Sequence, residues 1–211
     1  MAVDDMFRLQ RADFLHVPGI LLTPMRSDLE RWDDKYRDAP ANPDFAPDPI
    51  LETHASLLNG VGIALDVACG IGHNAIHLAK LGYAVLAVDG SLIALRRCRD
   101  ALGEDTPRIG LVNADLDRFS LPPDTFDVIL VIRYLNRSLI GQLKTALKPG
   151  GVLIYKTFNL NYLNARPVFN KSYLLNPGEL AALFADFDTI ATNDTASTTE
   201  HLSYWVGRRP Q

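Results

Sequence analysis

Three acidic residues lie at or near the ends of short apolar runs, where a parallel sheet would bring them to one edge. Asp66 lies within the first run, Asp89 ends the second, and Asp115 comes just after the third. Because the carboxyl ends of parallel strands meet at the same edge of a sheet, we expect these carboxylates to border one ligand crevice. A carboxylate after the second strand can accept both hydroxyls of a ribose. The pattern therefore predicts a site for a ligand that contains a nucleoside.

A glycine-rich turn follows the first run. Gly70 and Gly72 allow the backbone to turn tightly and to approach a ligand closely. The segment 70–75 also satisfies the dinucleotide pattern G-x-G-x-x-G/A, so an NAD-dependent dehydrogenase is an alternative. Two features disfavour it: His73 crowds the helix start that a pyrophosphate needs, and the nearby Asp66 carboxylate would repel phosphates. A ligand with cationic groups suits this loop better.

From about residue 51 onward, apolar runs alternate with helical periodicity, which is typical of a parallel sheet with crossover helices. Strands are predicted over residues 63–68, 84–88, 109–112, 126–132 and 152–157. Helices are predicted over 73–81, 92–102 with Ser91 as the N-cap, 139–147, and up to about 185 after a capping box at 176–179 that puts Pro177 first in the helix. The last two runs, near 186–192 and 201–206, have no helix between them and are expected to pair as an antiparallel hairpin.

Composition narrows the class of protein. The chain has 211 residues, a net charge of −4 and 47% hydrophobic residues, which fits a folded domain with no general attraction to nucleic acid or to an anionic membrane. The two cysteines are too few for a disulfide framework, and no metal site is expected. No apolar stretch is long enough to cross a bilayer and no secretory signal is evident, so a cytoplasmic location is expected.

Several of these segments, in the same order, resemble the motifs of one family. The run 65–72, Leu-Asp-Val-Ala-Cys-Gly-Ile-Gly, resembles the first motif of the class I S-adenosylmethionine-dependent methyltransferases. The chain also resembles the later motifs of this family, at Asp89 and in the segments 113–116, 126–127 and 147–151. The resemblance covers residues 60–158. It implies a Rossmann-like, doubly wound α/β fold with a mainly parallel seven-stranded sheet, a C-terminal antiparallel hairpin and S-adenosyl-L-methionine as cofactor.

The resemblance also assigns these motifs to parts of the cofactor. It places Asp66, Ala68, Gly70 and Gly72 against the methionine part. It places Asp89 and Gly90 at the ribose. It places Asp115 and Leu116 beside the adenine.

The first 50 residues precede these motifs and end in a proline-rich run, 38–49, that predicts a loop. Within them, the run Trp32-Asp-Asp-Lys-Tyr36 resembles the lead-in segment of the tellurite-resistance and thiopurine-type methyltransferases, which folds over the cofactor. On a helix, Trp32 and Tyr36 would share one face. We therefore predict a cofactor-covering extension over residues 1–50, with Trp32 and Tyr36 in contact with the cofactor, and a methyltransferase domain over 51–211.

The methyl acceptor is expected at the ends of the fourth and fifth strands. The candidate catalytic residues there are Arg133, Tyr134 and Lys156. Methyltransferases that act on amino groups of nucleic acids usually carry Asn or Asp, two prolines and an aromatic residue at the first of these places, and Arg133-Tyr134 departs from that pattern. Together with Arg137, these basic residues favour a small anionic or chalcogen-containing acceptor. In the alternative interpretation, Arg133 and Arg137 pair with local carboxylates.

A second class of function stays open on sequence alone. The chain offers no obvious pair of nucleophile and base, so a module that binds the cofactor without catalysis is the alternative to an active enzyme. Methyl transfer from a sulfonium needs alignment of the acceptor more than it needs a base. The intact glycines and acidic positions therefore favour the enzyme.

Overall fold

The computed structural model describes residues 27–38, 46–102, 108–195 and 198–211. Helices in these segments are α1 (Ser27–Asp38), α2 (Pro49–Thr53), α3 (His73–Leu81), α4 (Leu92–Ala101), α5 (Ile140–Ala146) and α6 (Glu179–Leu183). Strands are β1 (Ile63–Val67), β2 (Ala84–Asp89), β3 (Ile109–Asn113), β4 (Phe126–Ile132), β5 (Leu147–Phe158), β6 (Asp188–Thr192) and β7 (Leu202–Arg208). Short 3-10 helices cover Ala55–Leu57, Arg137–Leu139, Leu160–Asn164 and Lys171–Tyr173.

The strands of the described segments form a seven-stranded sheet in the order β3-β2-β1-β4-β5-β7-β6. Strands β1, β2 and β3 pair in parallel, as do β4 and β5. Strand β7 runs antiparallel to both β5 and β6. The predicted fold class is therefore confirmed, including the C-terminal hairpin.

By its internal contacts the chain divides into two units, Met1–Arg118 and Phe119–Gln211. In the first unit, successive residues of β1 and β2 are buried although their side chains point to opposite faces. Such strands need cover on both faces, as in sheets with crossover helices. Helix α4 begins as predicted, because the Ser91 hydroxyl accepts a hydrogen bond of 3.1 Å from the backbone N–H of Ala94.

Two parts of the N-terminal prediction have different outcomes. Residues 1–26 and most of the proline-rich run, 39–45, lie outside the described residues. At the end of that run, the predicted loop gives way to helix α2. Asp48 caps this helix by accepting from the backbone N–H of Ile50 at 3.1 Å, and Pro49 takes the first helical position.

In the second unit, the start of β5 differs from the prediction. The helix after β4 ends at Ala146, and β5 begins at Leu147 instead of at residue 152. The segment Pro149–Gly151 joins the strand, with Gly150 at φ +76°, because the backbone N–H of Gly150 donates to the carbonyl of Arg209 and the N–H of Arg209 donates to the carbonyl of Gly151. Partners near the C-terminus thus convert a predicted helix stop into strand.

The capping box in the same unit is present in altered form. The Glu179 carboxylate accepts from the backbone N–H of Asn176 at 2.8 Å, which is the expected reciprocal bond. However, α6 begins at Glu179 and ends at Leu183, so Pro177 lies before the helix and Gly178, at φ +76°, is its N-cap. The prediction was correct in the contact and wrong in the helix bounds.

No helix among the described residues is both long enough and apolar enough to span a membrane.

Candidate functional site

The turn between β1 and α3 is built from residues in the left-handed backbone region. Ala68, Gly70 and Gly72 have φ values of +55°, +56° and +86°. A side chain is not tolerated at Gly72, since its Cβ would stand 2.2 Å from the Sγ of Cys98. At Ala68 the same conformation costs about 1 kcal/mol, because the residue carries a Cβ. A strained, tightly packed turn of this kind is a feature of binding sites.

Asp66 is buried beside this turn with an unsatisfied oxygen. Its side chain is 1% exposed, and its Oδ2 has no hydrogen-bond partner among the described residues. Burial raises the pKa of the carboxyl to about 8, the backbone N–H of Ala75 partly offsets this, and the nearby Asp89 adds to the increase. A buried carboxyl oxygen without a partner is costly, and a cationic ligand group at this place would supply the missing partner.

Asp89 joins the turn to the start of α4. Its Oδ2 accepts from the backbone N–H of Gly70 at 2.7 Å, and its Oδ1 accepts from that of Ser91 at 2.8 Å. Burial raises the pKa of this carboxyl, while the two backbone bonds favour its charged form. Each carboxylate oxygen has a second lone pair, so Asp89 retains the capacity to accept hydroxyl groups.

Asn113, at the end of β3, is the first residue of the motif segment 113–116, and the sequence predicted no role for its side chain. Its Nδ2 donates to the carbonyls of Asp89 and Gly90, at 3.1 and 3.0 Å. These bonds fix the chain after β2 against β3. An amide residue directly after an apolar run was the available signal.

Asp115 and Leu116 follow Asn113 at the same sheet edge. The Asp115 side chain is 19% exposed, and its Oδ1 accepts from the backbone N–H of Asp117 at 3.0 Å. Leu116 is 8% exposed. The structure thus brings the predicted cofactor residues from Asp66 to Leu116 onto the β1, β2 and β3 ends of the first unit.

Helix α1 lies on the glycine turn. The Tyr36 hydroxyl oxygen is 2.6 Å from the point where a Cβ on Gly70 would stand. Trp32 stacks on Tyr36 with a ring-centroid distance of 6.1 Å, and the Lys35 ammonium lies 4.2 Å from the centre of the Trp32 ring. The two aromatic residues predicted to share a face therefore do so, next to the turn.

Asp33, which the sequence analysis did not single out, fastens α1 to the start of α4. This residue is 9% exposed, and its carboxylate accepts a hydrogen bond from the Ser91 hydroxyl. The Arg97 guanidinium also donates to the Tyr36 carbonyl at 2.6 Å. Asp33 could not be identified from its own segment, because its partner lies 58 residues away in the sequence.

In the second unit, Arg133 stands at the carboxyl end of β4 in a left-handed conformation, φ +59°. Its backbone N–H donates to the carbonyl of Lys156 on β5 at 2.7 Å. Its side chain is exposed and, among the residues that the structure describes, makes no hydrogen bond or ion pair. The Tyr134 hydroxyl accepts from Asn136 at 3.2 Å and is half-buried.

Arg137 does not belong with these candidate acceptor residues. Its guanidinium contacts both carboxylate oxygens of Glu179, at 2.5 and 2.9 Å, and donates to the carbonyls of Ser172 and Leu174. The alternative of a local ion pair is thus correct for Arg137 and not for Arg133. Fewer cations than expected are therefore available to an acceptor.

Comparisons with known proteins agree on the kind of domain. A family model described as "Methyltransferase domain" matches residues 64–151. A ubiquinone biosynthesis O-methyltransferase of Albidiferax ferrireducens is 31% identical over 102 residues, which are 45% of this chain and 40% of that relative. The chain thus matches less than half the length of that relative.

Solved structures share the fold. A structure titled as an S-adenosylmethionine-dependent methyltransferase from Mesorhizobium loti superposes with a TM-score of 0.61 at 23% identity, over 76% of this chain and 96% of the other. TehB from Haemophilus influenzae gives a TM-score of 0.66 at 17% identity, over 84% of this chain and 67% of the other. Likeness at this level of identity establishes the fold alone.

Proposed function

We propose that the chain is a class I S-adenosylmethionine-dependent methyltransferase, which transfers the methyl group of this cofactor to a small anionic or chalcogen-containing acceptor. The observation that carries the proposal is the buried Asp66 carboxyl beside the glycine turn, whose Oδ2 has no partner among the described residues. A dinucleotide places a pyrophosphate near such a turn, and a carboxyl group opposes it. S-adenosylmethionine carries an amino group and a sulfonium and no phosphate.

The residues of the first unit fit this cofactor. Asp66 with the Ala68–Gly72 turn would hold the methionine part, Asp89 with Gly90 would accept the ribose hydroxyls, and Asp115 with Leu116 would flank the adenine. The free lone pairs of Asp89 and the unsatisfied Oδ2 of Asp66 support these assignments. The bound cofactor supplies a methyl group on a sulfonium, a carbon already activated for in-line displacement.

The work left to the protein is to align the acceptor and to exclude water. In this proposal residues 1–50 act as the covering segment. The contact of Tyr36 with Gly70 and the attachment of α1 through Asp33 support that role. The domain proper then extends over residues 51–211.

The second unit supplies the acceptor side of the proposal. Arg133 has a planar set of donors that suits a carboxylate or an oxyanion, including chalcogen oxyanions, and its side chain has no competing ion pair within the described segments. Its left-handed backbone is held by the bond to Lys156. Lys156 and Tyr134 would flank the acceptor.

The direct test has a binding arm and a turnover arm. We expect calorimetry to show binding of S-adenosylmethionine and of S-adenosylhomocysteine and no binding of NAD. We then expect release of S-adenosylhomocysteine with at least one acceptor from a panel of arene carboxylates, thiols, amines, selenite and tellurite. Tight binding without turnover across the panel would instead favour the regulatory module, and NAD binding would overturn the cofactor assignment.

Tyr36→Ala tests the covering role of α1. Loss of the ring over the glycine turn is expected to weaken cofactor binding by about 1 kcal/mol, or roughly fivefold. The matched control is Tyr173→Ala, which removes a tyrosine that is 37% exposed on a 3-10 helix of the second unit. Calorimetry should show the loss for Tyr36→Ala alone. Equal affinities of both variants and the parent would remove α1 from the cofactor site.

Arg133→Lys tests the acceptor side. The variant keeps the charge and loses the planar donors, so turnover at saturating cofactor should fall about tenfold while cofactor affinity stays constant. Arg137→Lys is the contrasting control, because it loses a bidentate ion pair with Glu179. We expect it to lower the Tm and to preserve turnover per folded molecule. The reverse pattern would move the acceptor away from Arg133.

A further inference from the structure

A group of aromatic side chains follows β5 and is distinct from the core of the second unit. Ring centroids are 4.3 Å apart for Phe158 and Tyr162, 5.0 Å for Tyr162 and Phe169, and 6.2 Å for Phe158 and Phe169. All three side chains are half-buried. By contrast, Phe184 and Trp205 stack at 4.8 Å and are fully buried. The outer group, termed here the aromatic wall, therefore presents ring surface to solvent.

The aromatic wall is held by buried polar contacts. Asn159 is 3% exposed and lies between Phe158 and the 3-10 helix that carries Tyr162. Its Nδ2 donates to the Glu200 carbonyl at 2.9 Å and to the Ser203 hydroxyl at 3.0 Å, while its Oδ1 accepts from the backbone N–H of Asn161. A buried network of this kind makes the position of Tyr162 rigid, which a binding surface requires and a surface loop does not.

The wall continues a half-exposed face of the sheet that carries positive charge. Lys156 and Phe158 are two residues apart on β5 and so point to the same face, opposite Tyr204 and Leu202 on β7. These four side chains are half-buried, whereas Thr157, between Lys156 and Phe158 in the pleat of β5, is 1% exposed. The carbonyl of Lys156 also binds the backbone N–H of Arg133. The ring of Phe158 and the side chain of Lys156 thus lie on one face of β5, and the backbone of Arg133 is hydrogen-bonded to the same strand.

We infer that the aromatic wall selects the acceptor, and that the acceptor is a small arene carboxylate. Tyr162 and Phe169 would contact the ring of the acceptor, and Arg133 would bind its carboxylate. This inference rests on the proposed function and narrows its acceptor class: an inorganic oxyanion would use Arg133 alone, while an arene carboxylate uses both features. Edge and face contacts between rings add to the area that is buried.

The test measures binding of a probe to the full chain in the presence of S-adenosylhomocysteine. The probe is 2-naphthoate, followed by saturation-transfer NMR and by titration for its Kd. Comparison ligands are 2-naphthalenemethanol, which lacks the charge, and acetate and selenite, which lack the ring. We expect naphthoate to bind at least about tenfold more tightly than acetate or selenite.

Variants test separately the contact of the rings with naphthoate and the contact of Arg133 with its carboxylate. Tyr162→Ala and Phe169→Ala should each weaken naphthoate binding about three- to tenfold and leave selenite binding unchanged. Tyr162→Leu keeps an apolar side chain and so controls for a folding defect in Tyr162→Ala. It should lose part of the naphthoate affinity. Arg133→Gln should weaken naphthoate and spare naphthalenemethanol. The control is Val168→Ala, since Val168 is 98% exposed beside Phe169.

Calorimetry of cofactor binding distinguishes failure of the arene carboxylate inference from failure of the proposed methyltransferase function. If cofactor affinity is full and naphthoate binds Tyr162→Ala and Phe169→Ala as tightly as the parent, the arene inference is overturned and the proposed function stays intact. Equal binding of naphthoate and acetate would do the same. Loss of all cofactor binding in the parent chain would overturn the proposed function itself.

Discussion

Replacing Asp89 by alanine is expected to weaken binding of S-adenosylmethionine by about 1 to 3 kcal/mol, or roughly 5- to 160-fold. The carboxylate is 8% exposed and accepts from the backbone N–H groups of Gly70 and Ser91. In the proposed site it also accepts the ribose hydroxyls. The variant loses the charge-assisted bonds to the ligand and, in addition, the contacts that fix the glycine turn.

The same variant should unfold more readily. Two buried N–H groups lose their acceptor, and each unsatisfied group costs about 1 to 3 kcal/mol. Asp100→Ala is the matched control, because Asp100 is an exposed carboxylate on α4 of the same unit and is paired only with the adjacent Arg99 among the described residues. Calorimetry and thermal unfolding of both variants give the result. A folded Asp89→Ala protein with unchanged affinity would remove the ribose assignment.

Asp66→Asn is expected to alter the pH dependence of stability. The folded protein holds the Asp66 proton up to a pKa of about 8, whereas the ordinary value is 3.8. Between these values the unfolded chain binds fewer protons at this group, so its contribution to stability falls as pH rises, by up to about 1.4 kcal/mol per pH unit. Above the folded pKa the contribution is constant. Asparagine has no proton to lose and should remove this slope.

Urea unfolding across that pH range measures the effect. The free energy of unfolding of Asp66→Asn should gain on that of the parent as pH rises, while Asp100→Asn should follow the parent. Parallel curves for all the proteins would show that Asp66 ionises normally in the fold.

The raised pKa of Asp66 has a second consequence for binding. A cationic group placed beside the carboxyl lowers its pKa, so cofactor binding near neutral pH should release up to about one proton. Calorimetry in two buffers with different heats of ionisation detects that proton directly. Asp66→Asn should show no such difference between the buffers.

Local pattern accounts for the parts of the fold that the sequence predicted well. Strand β4 has the predicted bounds, because a run that is apolar except for Asp127 has few ways to be buried other than inside a sheet. Helix α3 also has the predicted bounds, since Gly72 and Gly82, both at positive φ, mark its two ends. In these cases the signals lie within a few residues of the element itself.

Distant partners account for the parts that the sequence did not predict. The start of β5 depends on Arg209, which lies near the C-terminus and about 60 residues further along the chain. Arg137 and Asp33 have partners that lie 42 and 58 residues away, so neither position could be assigned from its neighbours. The motif residues around Asp66 and Asp89 were identifiable because their spacing follows the strands that carry them. The wall residues have no such spacing.

Ser91 connects two events that would otherwise be independent in time. Its backbone N–H donates to Asp89, and its hydroxyl donates to Asp33 on α1 while it caps α4. Displacement of α1 from Ser91 would therefore break a buried bond at the residue that also holds the Asp89 carboxylate, the proposed ribose ligand. If the proposed site is correct, departure of the spent cofactor and release of α1 would share one barrier. The residence time of the product would then be set at a helix cap, away from the reacting carbon.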